Sequence, residues 1–158
     1  RDEMVALTVG ARMLRAWGGA AMARAAEEAL VKISAVVPET ERQRIVRTEI
    51  HAPSSALSEG DRARIDLIEK AVEGRRVLAI DYRDEKGDAS RRTLRPLGLW
   101  FWGRVWTLVA WCELRDDFRM FRIDRIEALG ETGRAFKPER GKTLADFYRS
   151  MEASGVGG

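Results

Sequence analysis

Residues 94–112 read LRPLGLWFWGRVWTLVAWC. The stretch holds two short apolar runs, Leu97 to Trp102 and Arg104 to Cys112, separated by Gly103 and preceded by Pro96. Both are strand-length, aromatic-rich and interrupted by a turn residue, so they read as two strands of an antiparallel hairpin. Working outward, Val77 to Tyr82 alternates, with Leu78, Ile80 and Tyr82 on one face of a first strand. Asp84-Glu85-Lys86-Gly87 is a hairpin turn, with the glycine at a position suited to positive φ. Ser90 to Arg95 is the partner strand, ended by Pro96. Arg115-Asp116-Asp117 is a further polar turn and Phe118 to Asp124 a fifth strand. Five short strands joined by tight turns point to a small, bent antiparallel barrel.

Ahead of the strands the period is helical. Met4, Val5, Leu7, Ala11 and Leu14 form one stripe, Gly18-Gly19 breaks it, and Met22, Ala26, Leu30, Ile33 and Val37 form a second. Two helices around a glycine turn make an antiparallel hairpin whose alanines and glycines permit close packing, within the chain or across a dimer. Arg44 to His51 reads as extended, and Pro53 with Ser54-Ser55 as a linker. Ser58 then caps a helix carrying Ile65, Ile68 and Val72, with Asp61 in a capping-box-like position, and Gly74 ends it. Behind the strands, a loop from Pro138 to Gly141 leads to a terminal helix over Thr143 to Ala153 and a disordered glycine tail, 155–158. The expected class is α+β, with a helical hairpin and linker over 1–57, a barrel with its leading helix over 58–130, and a C-terminal loop, helix and tail over 131–158.

Composition narrows the function. The 158 residues are 45% hydrophobic and 34% charged, as in a globular protein. No apolar run approaches the roughly 20 residues of a membrane span. Cys112, the only cysteine, lies in an apolar run and reads as a buried core residue; a reducing cytoplasm is its natural home. The first residue is Arg1 and the chain opens inside a helix, which reads as a fragment. His51 is the only histidine and stands near Pro53 without neighbouring acids or thiols, so no metal site, cofactor or histidine-dependent nucleophile is expected. Phosphate loops, dinucleotide fingerprints and serine-nucleophile elbows are missing from the sequence. Asp116-Asp117 is a solvated turn rather than a catalytic pair. The reading is therefore not an enzyme.

Charge points to an anionic partner. Net charge is +3, and residues 75–125 hold 12 Lys/Arg against 8 Asp/Glu, so the basic excess lies wholly in the strand-rich half. Arg91, Arg92, Arg95, Arg104, Arg119, Arg122 and Arg125 share these strands with Trp100, Trp102, Trp106 and Trp111. Guanidinium forks match phosphate or carboxylate, and indoles offer stacking faces, although tryptophans also fill small cores and strand arginines also form surface ion pairs. By alternation, Phe121 and Ile123 face the core with Arg119 and Arg125 near the strand ends on that side, while Arg122 and Asp124 face away. Arg95, Trp106, Arg119, Arg122 and Arg125 are the expected ligand-binding residues; a structural pairing of Arg125 with Glu127 or Asp81 is the competing reading.

Three pieces in order carry a family likeness: Leu94-Arg95-Pro96-Leu97-Gly98-Leu99-Trp100, Gly103-Arg104-Val105-Trp106-Thr107-Leu108-Val109-Ala110-Trp111-Cys112, and Arg119-Met120-Phe121-Arg122-Ile123-Asp124-Arg125-Ile126. Together, over about residues 62 to 129, they resemble the WYL domain. Leu7-Thr8-Val9-Gly10-Ala11-Arg12 also looks like the segment joining the DNA-binding part to the WYL domain in helix-turn-helix regulators. The resemblance implies an Sm-like, SH3-type barrel that senses a single-stranded nucleic acid or nucleotide and controls a winged helix-turn-helix, here absent, through which a homodimer meets DNA. The motif tyrosine is Thr107, so any stacking by that ring is lost or has moved, with Trp111 as the substitute. A ligand-free dimerisation module is the alternative reading, and an RNA-processing Sm-like barrel a third.

Overall fold

The computed structural model describes residues 2–47 and 57–155. His51 and the expected linker lie outside the described residues. The chain divides into two compact units, the first running to Asp66 and the second starting at Leu67.

In the first unit, α1 (Asp2–Trp17) and α2 (Ala20–Val36) form the expected hairpin, followed by α3 (Glu39–Arg47) and the start of α4 (Glu59–Glu73). Arg44 to Arg47 is therefore helical, not extended. Pro38 opens that helix, its carbonyl accepting from the amides of Glu41 and Arg42, and Arg42–Glu39 and Arg44–Glu41 pairs line its surface.

At the Gly18-Gly19 turn α4 supplies what the hairpin lacks. Gly19 gives α2 no side-chain cap, and the carboxylate of Asp66 accepts from the Ala21 amide at 3.2 Å in its place. Arg62 donates to the carbonyls of Arg15, Ala16 and Gly18, closing the C-terminal end of α1. An anion at one helix start and a cation at the other helix end are the dipole-favoured choices. A Cβ at Gly19 would stand 2.4 Å from Asp66 Oδ1 and 2.9 Å from Ile65 Cγ2, so a side chain there would push the capping carboxylate away. Ser58 caps α4 as expected, accepting from the Asp61 amide at 3.0 Å.

The second unit is a five-stranded antiparallel sheet in the order β4-β3-β2-β1-β5, made of β1 (Arg76–Arg83), β2 (Ala89–Phe101), β3 (Trp106–Cys112), β4 (Asp117–Arg122) and β5 (Ile126–Ala135). The α+β class is as expected, but four details differ. The two strands expected on either side of Pro96 are one, β2. It pairs with β1 as far as Leu94 and with β3 from Leu94 onward, and its register shifts between Pro96 and Gly98. Beyond Leu94 β2 has a partner on one side only, so the proline sits where an edge strand tolerates it. The strand through Phe121 ends at Arg122 and gives way to a 3₁₀ turn, Ile123–Arg125. What was expected as loop after residue 130 continues β5. Strands β4 and β5, joined by that turn, are the two edges of the ladder, so the sheet is open rather than a hydrogen-bonded closed barrel.

Leu78, Ile80, Leu94, Leu108, Ala110, Cys112 and Phe121 are buried on one face, and Ile123 and Ile126 add to the core. Helix α5 (Leu144–Ala153) covers part of the other. Leu144 approaches Gly98, where a Cβ would lie 3.4 Å from its methyl. Phe147 meets Phe118 and Trp100 edge-on, and Tyr148 stacks on Trp100 with its hydroxyl accepting from the indole at 2.8 Å. Thr143 caps the helix through the Asp146 amide, and Asp146 reaches back to the Thr143 amide in a full capping box.

Candidate functional site

Strand register decides which of the five expected residues meet. Across β3, Trp111 stands opposite Arg95 and Phe118, Ala110 opposite Pro96 and Arg119, and Thr107 opposite Trp100 and Arg122. Arg95 and Arg122 thus share the Thr107–Trp111 face, whereas Arg119 and Trp106 share the opposite face with Leu108 and Ala110. Arg125 lies in the 3₁₀ turn, where strand alternation no longer governs direction. The five are therefore spread over two faces and a turn.

Each guanidinium has its own setting. Arg119 donates to Asp117 at 2.8 Å and to the Phe118 carbonyl at 2.9 Å. Arg122 grips Asp124 in a two-pronged pair at 2.9 and 2.7 Å. That hydrogen-bonded pair raises the pKa of Arg122 and lowers that of Asp124, with the Arg125 charge adding slightly to the latter. Arg95 bridges two carboxylates, Glu139 at 2.9 Å and Glu113 at 3.4 Å, and the bond to Glu139 is the main cause of its raised pKa. The partners considered for Arg125 are engaged elsewhere: Glu127 holds Arg83 at 2.7 Å and Asp81 holds Arg91 at 2.8 Å.

The aromatic residues sort just as clearly. Trp106 is half-buried against Phe101, ring centroids 4.9 Å apart. Trp111 does not replace the missing tyrosine as an open stacking surface. It is buried, edge-on to Phe118, with the Lys142 ammonium 5.1 Å from its ring centre. The exposed indole is Trp102, 55% accessible, whose Nε1 donates to Thr107 Oγ1 at 2.9 Å. Sequence reasoning grouped Trp102 with the others; its place just before the Gly103 turn, at a strand end, was the signal that set it apart.

Arg92 was also undervalued. It pairs with Ile80, which places it on the apolar core face, and its Nε and Nη1 are buried without a hydrogen-bond partner. Among the described residues no trio of His, Cys, Asp or Glu is gathered to hold a metal. No helix there is long and apolar enough to cross a membrane. Cys112 is a free, fully buried core residue, as expected.

The chain is similar to Proteasome accessory factor B/C (PafBC) of Arthrobacter aurescens, at 24% identity and a TM-score of 0.48; the match covers 86% of this chain and 20% of that one. The chain thus spans about a fifth of that protein's length. The family model of the WYL domain matches residues 63–130, from within α4 through the first half of β5. That span holds β1 to β4, the Thr107-centred face and all five expected site residues, and over it this chain is similar to the WYL domain.

Proposed function

We propose that this chain is the ligand-sensing regulatory part of a bacterial transcription regulator, acting in the cytoplasm on a helix-turn-helix outside this sequence. Its effector is an anion, a single-stranded nucleic-acid fragment or nucleotide, read by Arg119, Arg122 and Arg125 with Arg95 and Trp106 contributing. The carrying observation is the setting of Arg119 and Arg122 on β4 of the WYL domain. Arg119 is exposed and Arg122 half-exposed, and each is held by a carboxylate two residues away in sequence, Arg119 also by the adjacent Phe118 carbonyl. Surface pairs of this kind contribute about 0–1 kcal/mol, so a phosphate exchanges into them at little cost.

Titration of short single-stranded DNA or RNA and of nucleotides into the protein at several salt concentrations tests this. Affinity that falls with salt, and that drops in Arg119→Ala and Arg122→Ala without a matching loss of thermal stability, supports the reading. Unchanged affinity and salt dependence in both variants sinks it.

A homodimer is part of the proposal, since two-fold operators are met by dimeric regulators. The ligand-free dimerisation reading has its own observation. The α1–α2 hairpin presents an apolar groove of about 670 Å³ lined by Leu7, Gly10, Leu14, Met22 and Ala29, and Leu7 and Leu14 are exposed. A stable dimer that binds no anion tested favours it. A single species of monomer mass at high concentration removes the dimer from both readings.

A further inference from the structure

Away from β4, the middle of β2, the end of β5 and the loop leading to α5 line two adjoining cavities of about 260 and 340 Å³. They share Arg95, Lys137 and Glu139; Arg75 and Lys142 line the first, Arg134 and Glu113 the second. Five cations therefore surround two carboxylates, a formal excess of three positive charges.

The carboxylates are each divided between two cations. Glu139 takes Arg95 and Lys142, both at 2.9 Å, and Glu113 takes Arg95 at 3.4 Å and Arg134 at 2.6 Å. Arg95 is mostly shielded from solvent, its side chain 23% accessible, whereas Glu139 is half-exposed in an irregular loop. The first cavity is also lined by the apolar side chains of Val72, Pro96, Leu97 and Leu144. Cations and apolar side chains lining one cavity fit a small organic anion, polar at one end.

We propose that this cleft binds the phosphomonoester group of a small organic molecule, with Arg95 and Lys142 as its principal ligands, and that the phosphate enters by displacing Glu139. A phosphomonoester carries nearly two negative charges at neutral pH and three acceptor oxygens, so one group satisfies donors that two carboxylates now divide. Glu139 is the one to leave. Its side chain is 50% accessible against 26% for Glu113, and surface pairs of this exposure hold weakly. The proposal shares Arg95 with the β4 reading but none of its other residues: along β3 the residues opposite Arg95 and Arg122 are four positions apart, roughly 13 Å.

Calorimetric titration of the whole chain with inorganic phosphate, adenosine monophosphate and adenosine tests it. Adenosine monophosphate is expected to bind and adenosine not. Arg95→Met and Lys142→Ala each weaken binding by about tenfold or more, the loss of one charge-assisted hydrogen bond. Glu139→Gln tightens binding several-fold, because a neutral amide competes less well for Arg95 and Lys142; a purely structural ion network gives no such gain. Lys142→Ala truncates a loop side chain outside the strands and keeps the test valid if Arg95→Met does not fold. Arg119→Ala and Arg122→Ala leave binding in the cleft unchanged. Equal binding of adenosine and its monophosphate, or no heat from either phosphate with parent and Glu139→Gln protein, overturns the proposal. Binding abolished in the β4 variants but kept in Lys142→Ala also overturns it, while upholding the β4 reading.

Discussion

Thr107 shows how one side chain refits a motif. It is nearly buried, 8% accessible, between Trp100 on β2 and Arg122 on β4, and its hydroxyl accepts from the Trp102 indole. Thr107→Val removes the acceptor while keeping the shape, and is expected to cost about 1 kcal/mol. Thr107→Tyr, which restores the motif letter, puts a large ring into an occupied space and is expected to cost about 1–3 kcal/mol. Thermal unfolding of the two variants checks both; a Thr107→Tyr protein as stable as the parent would mean that the space is open. The residue type at 107 and its departure from the motif are plain in the sequence. Its hydrogen bond to an indole five residues back is not, because it depends on the chain folding over at Gly103 to bring Trp102 beside β3.

At the scale of elements, the helix ends carry the clearest forecasts. Arg62 and Asp66, one turn apart on α4, close the two helix ends at the Gly18-Gly19 turn. Arg62→Ala and Asp66→Ala are each expected to lower stability by about 1–2 kcal/mol, with loss of helical signal preceding loss of the sheet; guanidine titration followed by circular dichroism at helix and strand bands reads this. An unchanged midpoint in both would mean that solvent caps these ends equally well. At α5, Asp146 accepts from Thr143 hydroxyl and amide, the Gly141 amide and Arg149, and these bonds, led by the Thr143 hydroxyl, hold its pKa well below the ordinary carboxylate range. A carboxylate depressed on folding stabilises fully above its unfolded pKa of about 3.9, and that contribution disappears as pH falls through the native value. Docking of α5 is therefore expected to be constant from neutral pH down to about 4 and to weaken below it. The fluorescence of Trp100, which Tyr148 and Phe147 cover, reports it. Asp146→Asn should flatten this acid dependence, and Thr143→Ala should cost about 1 kcal/mol at neutral pH. An acid profile unchanged by Asp146→Asn would assign the transition to another carboxylate.

For the whole molecule, the decisive quantity is charge placed on a scaffold. Removing one phosphate-binding cation from an anion-binding surface is expected to reduce the slope of log affinity against log salt by about 1. Salt titrations of Arg119→Ala, Arg122→Ala and Lys142→Ala with the same nucleotide therefore tell phosphate binding on β4 apart from phosphate binding in the Arg95 cleft. By itself the sequence determined the α+β class, the helical hairpin, the leading helix with its Ser58 cap, the terminal helix, three of the strands, the buried cysteine and the WYL likeness. These are written in local period, turn residues and motif order, which act over a few positions. Only the tertiary structure decided that Pro96 lies within one long strand, that residues 126–135 form β5, that the sheet stays open, and which arginines meet which acids. Residues 127–135 are mostly exposed and interrupted by two glycines, so no apolar stripe marks them as a strand; they are one because the free edge of β1 offers a ladder. Arg95 likewise shows no sign in the sequence of Glu139, 44 residues away, and only folding brings the two charges to 2.9 Å, because ion pairing depends on distance in space and not along the chain.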